Sequence, residues 1–120
     1  MLESKPSLTF AELTRANIKR NAEVFAPCDN WTPMEWGCAM AGEAGEACGA
    51  LKKLRRHTEG TNSNKDHQTE HELFSEVKKE LADTVIYCNL IANKLEFDLG
   101  EAIRDKFNEV SERMKSSIVL

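Results

Sequence analysis

The stretch PMEWGCAMAGEAGEACGALKKLRR, Pro33–Arg56, decides how the chain folds. Ahead of it stand Thr32 and, three residues on, Glu35. Such a pair satisfies the amide groups left open at a helix start, and Pro33 suits the first helical position because no N–H is lost there. The stretch closes on Lys52, Lys53, Arg55 and Arg56, cations that complement the negative end of a helix dipole. The spacing predicts one helix over Pro33–Arg56. Inside it, Gly42, Gly45 and Gly49 each cost about 1 kcal/mol relative to alanine. Close approach of another helix or of a ligand is expected to offset that loss, and Ala39, Ala41, Ala44, Ala47 and Ala50 keep the helix narrow enough for it.

Working outward, the same punctuation recurs at Thr9 with Glu12, Thr69 with Glu72, and Asp98 with Glu101. A first helix is expected over about Phe10–Phe25, ahead of a loop at Pro27–Trp31. A third is expected from Thr69 to about Leu95, with Val77, Leu81, Thr84, Val85, Cys88 and Ile91 or Ala92 at helical spacing. A fourth is expected over Leu99–Lys115, with Ile103, Phe107, Val110 and Met114 on one stripe. Between the second and third, HTEGTNSNKDHQ (His57–Gln68) is polar and lacks an apolar period, which predicts a mobile loop. Ser116–Leu120 reads as a tail.

No alternating strand pattern competes with these helices. The expected fold is all-α, a single four-helix bundle-like domain over residues 1–120. Helices two and three would each be about 35–40 Å long at 1.5 Å per residue. Their apolar faces are hard to cover within one subunit, so a homo-oligomer, dimer or tetramer, is expected.

At 120 residues, with 41% hydrophobic and 30% charged, the composition is that of a globular protein. The net charge of −4 and the lack of a long basic run speak against nucleic acid as a partner. An acidic protein can still take a polyphosphate if divalent cations lie between its carboxylates and the phosphates. Cys28, Cys38, Cys48 and Cys88 form no C-x-x-C pair, which predicts reduced thiols in a cytoplasmic protein. No window approaches the roughly 18 apolar residues of a membrane span, so no membrane partner is expected.

The chemistry-bearing residues lie on the two long helices. Glu43 and Glu46 on the second, and Glu80 and Asp83 on the third, are pairs three residues apart that project from one helical face. Met40, Ala41, Ala44, Ala47 and Leu51 surround the first pair, and Val77, Leu81, Val85 and Ile86 the second. Carboxylates gathered in a bundle interior repel one another and lose hydration unless a positive charge joins them. Magnesium supplies such a charge, favouring hard oxygen ligands shared with substrate phosphates, and facing helices that each contribute acids are a known way to build its site. The competing reading is of ordinary solvent-facing acids on amphipathic helices.

GEAGEACGALKKLRR (Gly42–Arg56), then ELADTVIY (Glu80–Tyr87), then KFNEVSERM (Lys106–Met114) together resemble the MazG-like branch of the all-α NTP pyrophosphohydrolases, over roughly Trp31–Met114. Relatives in that superfamily include dCTP pyrophosphatases, dimeric dUTPases and phosphoribosyl-ATP pyrophosphohydrolases. The resemblance implies Mg²⁺ ligation by Glu43, Glu46, Glu80 and Asp83, and hydrolysis of a nucleoside triphosphate between the α and β phosphates. It matches Lys106 to a lysine that holds phosphate oxygen, with Arg113 as helper, and Trp31 and Tyr87 to positions that contact the nucleotide.

In two places the chain departs from that pattern. Many relatives carry E-E-x-x-E, whereas Gly42 stands here where the first glutamate would be. The general base is left unassigned, with Glu76, one turn before Glu80, as a candidate. The polar stretch 57–68 is the second departure. Lys53 can reach phosphates or simply end its helix. Trp36 reads as a core or interface anchor, and Trp31 and Tyr87 can equally pack in the bundle. His67 and His71 can bind a transition metal.

Overall fold

A computed structural model of the chain describes residues 6–61 and 68–120. The described residues form four α-helices, α1 (Phe10–Glu23), α2 (Pro33–Thr58), α3 (Glu70–Lys94) and α4 (Leu99–Arg113), with a single 3-10 turn at Ala26–Cys28 and no strand. The expected all-α class is met. Most of the predicted loop, residues 62–67 with His67, lies outside the described residues. Its first two residues, His57 and Thr58, continue α2.

All four expected helix starts form. Thr9, Thr32 and Thr69 each accept a hydrogen bond from the backbone N–H of Glu12, Glu35 and Glu72, and each glutamate accepts one in return from the threonine's own N–H. Asp98 Oδ1 accepts from Glu101 N at 3.0 Å. The helix ends use different chemistry. Glu96 and Lys115 adopt left-handed φ values of 58° and 56°. In each case the next amide turns back onto the last turn, Phe97 N to Ala92 O and Ser116 N to Ser111 O. This closure normally takes glycine; a non-glycine residue accepts about 1 kcal/mol of strain to make it.

The chain divides into two compact units, residues 1–30 with 89–120, and residues 31–88. In the first, the interior is unusually polar. Asn89, with no solvent exposure, accepts from Asn17 Nδ2 at 3.0 Å and from Asn93 Nδ2 at 3.2 Å, and donates to Thr14 Oγ1 at 3.0 Å. Asn21 donates to Asp29 at 2.8 Å, and Lys94 reaches the same aspartate's backbone and carboxylate. Gly100 lets the start of α4 approach α1, since a Cβ there would lie 3.1 Å from Phe10 Cβ. The tail after α4 is tied back: Leu120 N donates to Asn108 Oδ1 at 2.8 Å, and Asn108 Nδ2 donates to Leu120 O.

In the second unit, α2 and the Glu70–Cys88 part of α3 form an antiparallel hairpin. Trp36 meets Tyr87 near one end while Glu43 and Glu46 meet Glu80 further along, so numbers rise on one helix as they fall on the other. The seam buries Trp36, Ala47, Ala50, Leu73 and Val77.

Candidate metal centre on the α2–α3 hairpin

With 3.6 residues per turn, Glu43 falls at the centre of the α2 seam beside Trp36 and Ala47, with Glu46 on its edge. On α3, Glu80 lies beside Leu73 and Val77, with Asp83 and Glu76 just outside. Antiparallel pairing brings these edges to the same side of the hairpin. Glu43, Glu46 and Glu80 each offer a carboxylate oxygen within 4.8 Å of the others. Asp83 stands outside that triad, near enough to act electrostatically on both Glu43 and Glu80. All four predicted metal ligands are therefore neighbours, three of them tightly gathered.

The crowding has electrostatic consequences. Loss of hydration pushes the Glu80 carboxyl above the ordinary carboxylate range, and the charge of Glu46, a hydrogen bond with Glu46 and the charges of Asp83 and Glu76 push it further. Glu43 moves the same way, first by loss of hydration and then through Glu46, Asp83 and Glu80. None of the ion pairs formed among the described residues involves these four acids. Glu80 Oε2 is shut off from solvent and has no hydrogen-bond partner. A buried carboxylate oxygen left bare costs free energy that a proton or a cation can recover. The donor set therefore fits a hard divalent cation, which takes carboxylate oxygens at about 2.0–2.1 Å and fills its remaining positions with water.

Aromatic side chains stand at one end of this acidic flank. Tyr87 is one turn beyond Asp83, its ring centroid 5.8 Å from that of Trp36, and Trp31 lies 4.7 Å from Trp36 in turn. Trp36, read from sequence as an anchor, is indeed buried, but its indole Nε1 has no acceptor. Trp31 is partly exposed at the rim. The structure thus joins Trp31 to Tyr87 through Trp36. Lys53 is exposed on the acid-bearing side of α2, two turns beyond Glu46.

Lys106 and Arg113 belong to the other unit. There Lys106 donates to Glu109 at 2.6 Å, and both cations are exposed on α4. Glu76 accepts from Gln68 Nε2, a contact that holds the start of α3 and that no sequence signal announced. His71 is exposed, and its supposed partner His67 lies outside the described residues. Gly42, Gly45 and Gly49 face open space, since a Cβ on any of them would meet no atom within 4 Å. The close approach expected to offset them is not made by this chain's described residues.

Compared with models of known protein families the chain matches none, and no curated protein matches it.

Proposed function

We propose that the protein hydrolyses (deoxy)nucleoside triphosphates to a monophosphate and pyrophosphate, in nucleotide-pool control, using Mg²⁺ held by Glu43, Glu46, Glu80 and Asp83. The observation that carries this reading is the convergence of three carboxylates, with a fourth beside them, around a buried oxygen that lacks any partner. The motif order resembling MazG-like pyrophosphohydrolases supports it independently. Bound magnesium, or manganese in its place, neutralises phosphate charge and lowers the pKa of water. The chain's own residues then have separate tasks. The four acids fix the cation and Trp31 and Tyr87 contact the nucleotide. Lys53 offers positive charge to phosphate oxygens, the role that the motif resemblance implies for Lys106 and Arg113. The working protein is a homo-oligomer, because among the described residues the large apolar side chains left exposed outnumber those buried.

Gly42 favours a second reading: with no carboxylate at that position, the chain can be a nucleotide-binding or helical adaptor protein that keeps the acidic site and lacks turnover. Measuring pyrophosphate release from the eight canonical NTPs and dNTPs, with Mg²⁺ and with EDTA, separates the two. Hydrolysis only with Mg²⁺ supports the enzyme. Nucleotide binding with no product from any of them supports the adaptor. The same panel extended to phosphoribosyl-ATP ranks the substrates of the related pyrophosphohydrolases.

A further inference from the structure

Glu76 stands one turn before Glu80 on α3, and residues so spaced are neighbours on one helical face. Its charge reaches Glu80, yet it lies outside the gathered triad of Glu43, Glu46 and Glu80. A neutral partner sets it apart. Gln68, just ahead of the Thr69 cap, donates from Nε2 to Glu76 Oε1, and both side chains are partly buried. The contact ties the residue that precedes α3 to a point two turns along the helix. A carboxylate accepts through two oxygens. By engaging one, the amide fixes the direction of the group and leaves Oε2 for a second donor. The amide carries no ionisable proton, so Gln68 orients Glu76 without competing for one.

We infer that Glu76 is the general base of the hydrolysis, taking a proton from the attacking water, and that Gln68 is its positioning residue. The inference rests on the reading above that the site turns over a triphosphate. Spacing supports it. One helical turn rises about 5.4 Å, and two O–H···O hydrogen bonds end to end span about 5.5 Å. A water therefore fits between the Glu80 and Glu76 carboxyls. The facing helix leaves room for it. Antiparallel pairing of Glu43 and Glu46 with Glu80 puts Glu76 level with Ala47 and Ala50, buried methyl groups that offer no donor of their own. The four gathered acids turn their oxygens to a cation, whereas Glu76, one turn off, keeps an oxygen for a proton. In the step, the water oxygen bonds to the attacked phosphorus while the bond from that phosphorus to the α–β bridging oxygen breaks. The electron pair of the broken bond leaves with the bridging oxygen. The water's proton passes to Glu76 Oε2 and from there to solvent, which restores the carboxylate.

The test compares wild type with Glu76→Gln in steady-state hydrolysis, alongside Mg²⁺ titration by calorimetry without nucleotide, in which Glu80→Gln serves as the ligand-loss control. A kcat lowered roughly 100-fold or more, with KM unchanged and Mg²⁺ affinity far closer to wild type than in Glu80→Gln, supports the base. An unchanged kcat overturns it and leaves the metal site standing. A loss of Mg²⁺ affinity as large as in Glu80→Gln makes Glu76 a ligand and also overturns it. Gln68→Ala frees the carboxylate without removing it, so kcat should fall by less than in Glu76→Gln, with KM unchanged; an unchanged kcat there overturns the positioning role. Should Glu76→Gln not fold, Glu76→Asp keeps the charge, withdraws the oxygen by one carbon and carries the same comparison. In Glu76→Ala, added formate should restore part of the lost turnover, and a loss that formate does not relieve contradicts proton transfer. A wild-type chain that hydrolyses no triphosphate overturns both this inference and the reading beneath it.

Discussion

The carboxyl groups of Glu46 and Glu80, carried by two antiparallel helices, offer oxygens within 4.8 Å of each other. Two carboxylates that close repel each other unless a proton or a cation stands between them. Replacing Glu46 or Asp83 with alanine should lower turnover by roughly 100-fold or more while far-ultraviolet circular dichroism keeps its helical signal. If both variants retain activity, the acidic cluster is not the site.

Stability should depend on pH through Glu43 and Glu80. Both carboxyls bind their protons more tightly in the folded chain than an unfolded one would. Between the ordinary carboxylate value and their raised values, the folded state holds more protons, so stability falls as pH rises through that window. Their contribution is complete below the ordinary value and lost above the raised one. The melting temperature without metal should therefore drop across that window, the drop should shrink in Glu80→Gln, and Mg²⁺ should oppose it. A melting temperature that rises through the same window would reverse the assignment.

Glycines should respond oppositely by position. At Gly45 a Cβ meets nothing within 4 Å, so Gly45→Ala is expected to stabilise the isolated chain by up to about 1 kcal/mol in urea unfolding. At Gly100 a Cβ presses on Phe10 and on the Asp98 carboxylate that caps α4. There the helical gain is offset, and Gly100→Ala should destabilise by about 1 kcal/mol. If Gly45→Ala lowers activity without lowering stability, a ligand or a second copy uses the space.

The buried asparagine network has its own test. Asn89→Ala removes the acceptor for Asn17 and Asn93 and the donor to Thr14. Because the Asn17 amide left behind is buried, the loss should reach about 2–4 kcal/mol, read as a lower urea midpoint. A change below about 0.5 kcal/mol would mean that water enters freely.

Helix starts were readable from the sequence because capping acts within one turn. Thr9 with Glu12, Thr32 with Glu35 and Thr69 with Glu72 need nothing distant to form. The acid cluster was readable at one remove. Three-residue spacing fixes which side of a helix Glu43 and Glu46 share, but only antiparallel pairing brings Glu80 to them. Helix ends were less legible, since Glu96 and Lys115 take the left-handed turn that glycine would have signalled. The contact of Asn17 with Asn89 was not legible at all. Asparagine carries no apolar period, and its partner is chosen by packing between distant segments.

The most direct measurement is phosphorus NMR of a nucleoside triphosphate incubated with the protein and Mg²⁺. Cleavage between the α and β phosphates predicts monophosphate and pyrophosphate signals rising together, and neither when EDTA is present. Diphosphate with inorganic phosphate, or unchanged triphosphate across all bases, would contradict it.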